Sequence, residues 1–154
     1  MSGVLVRLPA DVEADIRDCC ERAYPLEACG VIFGSGDGES VAWMVLAIRP
    51  APNQHGDDQR RRYLVPPEFQ VAVELEARRR NQDVIGYFHS HPDHPAQPSE
   101  YDRAHAWVGY LYAICAVAKG KAGELNAFAL DREGGAFRPV PIEKSPSPSP
   151  SEVR

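Results

Sequence analysis

Cysteine is scarce in this chain and badly placed for cross-linking. The four, Cys19, Cys20, Cys29 and Cys115, form no Cys-x-x-Cys pair, and adjacent Cys19 and Cys20 cannot readily bridge each other. They read as reduced thiols packed as small apolar residues. Long apolar runs are also missing: none approaches the ~18 residues that span a bilayer, and the longest stretches, Val41 to Ile48 and Tyr110 to Ala118, suit buried strands. The start, Met1 to Arg7, has no charged region followed by an apolar one, so no secretory signal is read and the cytoplasm is the expected location. Positive charge is in deficit, with a net −5, which argues against a nucleic-acid-binding role. Arg60-Arg61-Arg62 and Arg78-Arg79-Arg80 are local exceptions. They read as solvated charge on a strand edge and a helix end, with docking of an acidic partner as the functional alternative.

What the chain does have is enough material for one core. At 154 residues, 44% apolar and 25% charged, it reads as a single globular domain without internal repeats. Val4 to Leu8 forms a short strand, and Pro9 with Asp11 opens a helix whose apolar stripe is Val12, Ile16, Cys19, Cys20 and Ala23. Pro25 ends it. Ala28 to Phe33 is a buried strand, closed by a Gly34 to Gly38 hairpin turn into a strand over Ser40 to Arg49. A polar loop follows with Pro50, Pro52, Asn53 and His55, then a strand over Arg62 to Val65. Pro66-Pro67 begins a helix to about Arg80, with Phe69, Ala72, Val73 and Ala77 on one face.

Strand Val84 to His91 comes next. The stretch Pro92 to Pro98 holds Pro92, Pro95 and Pro98, which remove donors and fix φ, so it reads as a stiff loop outside any helix or ladder. Ser99 starts a helix to about Val108, and Tyr110 to Val117, Glu124 to Leu130 and Ala136 to Ile142 read as strands. Helices early, middle and late among many strands indicate a single-domain mixed α/β fold over residues 1–143, with 144–154 a disordered Ser/Pro-rich tail.

The chemistry gathers around His89-Ser90-His91. Successive side chains of a strand point to opposite faces, so His89 and His91 share a face, roughly 6.5 Å apart along it. Two imidazoles so placed can chelate one ion. A carboxylate from another segment would complete three protein ligands and leave a position for water, as a hydrolytic zinc site requires. After seven intervening residues beyond His91 stands Ser99-Glu100-Tyr101-Asp102. Ser-x-x-Asp is a helix-capping signal, yet the same turn can aim Asp102 at the imidazoles, and the two roles are compatible. Glu27, between Pro25 and Gly30 ahead of an apolar run, is poorly placed for a merely solvated charge. His55, His94 and His105 read as ordinary polar residues, and Cys29 as a small buried residue rather than an extra ligand or redox brake.

With these residues in view, the chain resembles the JAMM zinc metallopeptidases, also called MPN-plus or JAB. The likeness rests on Glu27, then His89-Ser90-His91-Pro92, then Ser99-x-x-Asp102 seven residues on. Tyr24 to Val31 looks like the small prokaryotic branch that acts on ubiquitin-like sulfur-carrier proteins. The resemblance implies a curved β-sheet flanked by helices, with cytidine-deaminase-like layering. It implies one Zn²⁺ per chain on His89, His91 and Asp102 with water completing the tetrahedron. Glu27 would be the general base and Ser99 the stabiliser of the oxyanion. The implied partner is a ubiquitin-like sulfur carrier with a Gly-Gly C-terminus; neither nucleic acid nor membrane is expected.

Other readings exist. The deaminase pattern, His-x-Glu with a later Pro-Cys-x-x-Cys, is absent. A cupin also presents His-x-His on a strand, but its all-β layering conflicts with the helical stripes. A non-catalytic interaction scaffold with the same fold is the remaining alternative, disfavoured because all five motif positions are filled.

Overall fold

A computed structural model describes residues 5–36, 42–53, 65–130 and 135–146. The elements are β1 (Leu5–Pro9), α1 (Ala10–Ala23), β2 (Cys29–Ser35), β3 (Ala42–Ala51), α2 (Pro67–Arg79), β4 (Asp83–Pro92), α3 (Glu100–Ala104), β5 (Leu111–Ala118), β6 (Lys121–Leu130), β7 (Phe137–Val140) and β8 (Ile142–Ser145). The strands join one mixed sheet in the order β7-β6-β5-β4-β2-β3-β1-β8. No helix among the described residues is long and apolar enough to cross a membrane.

The expected strand over Ala136 to Ile142 is in fact two. Pro141, lacking an N–H, interrupts it, and its carbonyl accepts the N–H of Val6 at 2.8 Å. β7 pairs with β6 and β8 with β1, at opposite ends of the strand order, although a single residue separates them. The two edges must therefore lie close together, and the sheet curls nearly into a barrel. β8 runs to Ser145, paired Leu8 to Lys144 and Pro9 to Ser145, so a domain limit at residue 143 cuts through a strand. Residues 147–154 of the expected tail lie outside the described residues. Glu13 of α1 reinforces this closure, taking Arg17 at 2.9 Å and Lys144 of β8 at 3.3 Å, while Arg17 also donates to the Gly123 carbonyl on β6.

Side-chain alternation gives the sheet two unlike faces. α1 lays Val12, Ile16 and Cys20 on one, against Val6, Leu8, Ile32, Trp43, Val45, Ile85, Phe88 and Val117. The other face is shared. α2 covers Val31, Phe33 and Val84 with Val73 and Ala77, while Ala96 of the proline loop wedges onto Ile114 and Phe128. Between these two covers run His89 and His91.

Several local expectations change. The expected buried strand over Val41 to Ile48 is only half buried where it is described, from Ala42: within β3, Trp43 and Val45 face the core while Met44 and Leu46 are exposed, no element among the described residues covering their side. Ala72 is exposed; the helix docks through Val73 and Ala77. Pro92 does enter a ladder, as the last residue of β4 opposite Val117, where the chain's next N–H, of Asp93, takes the Val117 carbonyl at 2.7 Å. β6 begins earlier than expected, at Lys121. The hairpin between β2 and β3 is present, with Gly36 at φ +112°, but Asp37 and Gly38 lie outside the described residues. So do His55, Arg60 to Arg62 and most of the expected strand at Arg62 to Val65; Val65 itself is not in a strand.

Two predictions follow from this packing. A Cβ at Gly86 would run into the Leu111 carbonyl across the β4–β5 pair, so Gly86→Ala should lower unfolding free energy by about 2 kcal/mol, measured by urea denaturation. An unchanged midpoint would mean that the strands part easily there. Glu76 pins α2 to β3 through Arg49 at 3.1 Å and to Arg80 at 2.9 Å, and the Arg49 hydrogen bond outweighs burial to hold its carboxyl below the ordinary range. A depressed folded pKa stabilises above the unfolded value of about 4.3 and stops doing so as pH falls through the lower folded one. Glu76→Gln should therefore be less stable than wild type at pH 7, with the difference shrinking as pH falls below the unfolded value and through the lower folded one; a constant gap would rule out the ionic contribution.

Candidate metal centre

The sheet register assembles the site. β2 and β4 run antiparallel with Cys29 opposite His89, Gly30 opposite Phe88 and Val31 opposite Tyr87. Continued backwards along β2, the same register puts Ala28 opposite Ser90 and Glu27 opposite His91, and Ser90 N–H does donate to the Ala28 carbonyl at 3.0 Å. Glu27 and Cys29 thus share the face of the two histidines. Glu27 is 3% exposed, His89 1%, His91 8% and Asp102 8%, so the group is almost fully enclosed, with most of its residual exposure at His91 and Asp102.

Although their strand positions are two residues apart, the imidazole tips converge, with Nε2 atoms 3.2 Å apart. Asp102 reaches both rings, Oδ1 to His89 at 3.2 Å and Oδ2 to His91 at 3.1 Å. Ligand atoms of Glu27, His89 and His91 also fall within 4.8 Å of one another. Asp102 is delivered by α3, which is shorter than expected. It ends at Ala104, His105 forming its cap, and the N–H of Trp107 is taken by the Tyr112 hydroxyl at 2.7 Å, which draws the chain out of helix. At its start Ser99 and Asp102 form a reciprocal capping box: Asp102 N–H donates to Ser99 Oγ at 3.1 Å and Ser99 N–H to Asp102 Oδ2 at 2.9 Å. Cap and approach to the histidines are one geometry, since Oδ2 serves both.

Charge follows from surroundings. Burial would push the Asp102 carboxyl up, but hydrogen bonds from His89 and His91 overturn this and hold it far below the usual carboxylate range. Burial dominates at His89 and pushes its imidazole down despite Asp102. At His91, nearer the rim, burial is overcome by Asp102 and the Pro95 carbonyl, and the imidazole is raised. His91 Nδ1 lies 2.8 Å from that carbonyl, which can only accept, so Nδ1 carries the proton and Nε2 is the atom turned to the site.

This set fits a metal. The edge of a tetrahedron drawn at zinc–nitrogen distances is about 3.3 Å, close to the 3.2 Å between the two imidazole Nε2 atoms, and Asp102 brings a different oxygen to each ring, at 3.2 and 3.1 Å. Two imidazoles with a carboxylate suit zinc among the common ions. Cys29 is no ligand in this arrangement: its thiol points at the Ala51 and Pro52 carbonyls, 3.7 and 4.0 Å away, and burial, then the Glu27 charge, push it up to about 12. His105 stacks on Tyr101 at 4.0 Å and is exposed, and His94 is exposed in the proline loop.

Two contributors escaped the sequence reading. Ser90 ties β4 to the segment bearing Glu27. Asn126 on β6 donates to the Ala96 carbonyl at 3.0 Å, bracing the loop whose Pro95 orients His91. A polar residue on a strand facing a covered part of the sheet was the available signal for Asn126, but its partner lies thirty positions away.

A curved mixed sheet with paired histidines on a central strand and a capping aspartate beside them defines a JAB-type domain with a candidate metal centre. Residues 9–131 match the family described as prokaryotic homologs of the JAB domain, and the chain belongs to that family. It is 36% identical over 92 residues to the desampylase of Haloferax volcanii, a match that spans 59% of this chain and 63%, less than two thirds, of that protein. Among solved structures, a protein from Desulfitobacterium hafniense superposes with a TM-score of 0.79 at 23% identity, covering 93% of this chain and 94% of that one, and shows the same fold. A protein from Salinibacter ruber superposes at 0.68 with 31% identity over 96% of this chain and 94% of its own.

The bracing role of Asn126 is testable with metal alone. Asn126→Ala should weaken Zn²⁺ binding about tenfold in chelator competition while the protein stays folded by circular dichroism. Undiminished affinity would show that the proline loop holds Pro95 without it.

Proposed function

We propose that this chain is a cytoplasmic zinc-dependent peptidase that hydrolyses a peptide or isopeptide bond at the C-terminal Gly-Gly tail of a ubiquitin-like or sulfur-carrier protein. One observation carries the reading: a buried carboxylate and two imidazoles converge at 3.1–3.2 Å, with a second buried carboxylate, Glu27, beside them. Enclosing such groups is costly unless an ion and a reaction use them, which disfavours a scaffold. His89, His91 and Asp102 would hold the ion, and Glu27, whose carboxylate lies within 4.8 Å of the ligand atoms of both rings, would transfer the proton.

Bound there, zinc would supply Lewis-acid polarisation of the scissile carbonyl and a water acidified to a pKa of about 7. Glu27 would be the residue that accepts a proton from the attacking water and gives one to the leaving amine. Ser99 Oγ already accepts the Asp102 N–H, which fixes the oxygen, and its own O–H remains to donate to the developing oxyanion. No covalent intermediate is required. Family membership and the likeness to a desampylase support the substrate class. A Gly-Gly tail suits a site this enclosed, because a segment without side chains can reach groups at the bottom of a narrow opening.

Glu27→Gln is the decisive variant. It should keep wild-type zinc content yet cleave Gly-Gly-terminated carriers with short extensions at least about 100-fold more slowly, followed by mass. Zinc lost in step with activity would remove Glu27 from the role of base. Failure of zinc-loaded wild type to cut any such carrier would favour the scaffold.

A further inference from the structure

Ser90 stands between the two histidines and, by alternation, points away from them onto the face of Phe88. It is 0% exposed. Its register partner is Ala28, and residues paired this way in an antiparallel ladder ordinarily exchange two backbone hydrogen bonds. Only one is ordinary here: Ser90 N–H donates to the Ala28 carbonyl at 3.0 Å, but Ala28 N–H donates to the Ser90 hydroxyl at 2.8 Å. The ladder between β2 and β4 is thus extended past Cys29 by a side chain inserted between the strands, one residue from Glu27.

We infer that Ser90 is a positioning residue whose hydroxyl, by capturing the Ala28 amide, fixes the Glu27 carboxylate over the metal centre. The inference rests on Glu27 acting as proposed above. Without the hydroxyl, the buried Ala28 N–H must either go unpaired or pull β2 toward the Ser90 backbone, and each outcome shifts Glu27. His91 keeps the Pro95 carbonyl and Asp102 the Ser99 capping box. A second tie lies on the far side of Glu27, where the Tyr24 hydroxyl donates to Asp93 at 2.6 Å, and that tie is exposed to water. A third is part-buried, Asn53 Nδ2 donating to the Glu27 carbonyl at 3.4 Å, and the Ser90 tie is the fully buried one. Catalysis is steep in such placement, since a displacement of about 1 Å can cost roughly 100-fold in rate.

The test uses Ser90→Ala, the near-isosteric but weakly accepting Ser90→Cys, and Ser90→Thr, which keeps a hydroxyl. In the Ala variant, zinc affinity by chelator competition should stay within about threefold of wild type while kcat on a Gly-Gly carrier falls about tenfold or more at unchanged KM. Ser90→Cys should fall between, and Ser90→Thr should restore kcat. Exchange of the Ala28 amide, read by NMR on the metal-free protein, should quicken in the Ala variant and return to slow with Thr. Wild-type exchange at Ala28 in Ser90→Ala overturns the tether, as does kcat within twofold of wild type in an active enzyme. Parallel loss of zinc and activity would assign Ser90 to the ligands instead and also overturn it. If wild type cleaves no carrier, the hydrolase reading fails by itself, and amide exchange alone decides whether Ser90 holds Ala28; should Ser90→Ala not fold, the Cys and Thr pair carries the same comparison.

Discussion

The pairing of β2 with β4 is the constraint on which the site depends. Glu27 and the histidines come from segments about sixty residues apart, and only the register Cys29 to His89 sets them on one face. A slip by one residue would turn either set through the sheet to the α1 side. The core holds the register against such a slip. Gly30 lets the Phe88 ring lie across β2, Gly34 lets β3 approach, and Gly86 lets β5 approach, so each strand is seated where only a missing side chain permits contact. A larger residue at any of these points would force apart strands whose spacing the site inherits.

Uneven coverage of the sheet then decides where the site opens. α1 packs along one face, which leaves that side to apolar core. The opposite face is covered in two parts, by α2 over β2 and β4 and by Ala96 over β5 and β6. His89 and His91 occupy the seam. The proline loop does double service here, because Ala96 anchors it by burial while the preceding Pro95 carbonyl fixes the His91 ring. Rigidity from prolines lowers the entropy lost when these groups are held in place.

How much of this could be read from sequence depends on the range of the interaction. His89 and His91 on one face, Ser99 as a cap and Asp102 in the first turn are consequences of local periodicity, legible within a dozen residues. The elements around them were legible for the same reason, apart from shifts at their ends. What resisted was non-local. The division of residues 136–142 between two sheet edges depends on closure of the whole sheet, and Met44 and Leu46 are exposed on a side that no element among the described residues covers. Asn126 and Ser90 matter through partners 30 and 62 positions away. The shortened α3 reflects a tyrosine hydroxyl on β5 competing for a backbone amide that a longer helix would have used.

The two buried carboxylates at the histidines also show how attachment separates roles that chemistry alone would leave equal. Asp102 sits in the first turn of a helix, takes an N–H from Ser99, and touches both imidazoles, so its oxygens are committed. Glu27 leads into a strand and is steered by backbone pairing one residue away. A donor set of two carboxylates and two imidazoles is rich in formal negative charge, and a divalent cation offsets it where protons on the rings would block the lone pairs a ligand needs. Asp102 is thus held through its own oxygens, whereas Glu27 keeps its place through the backbone, the amide next to it being held by a buried hydroxyl.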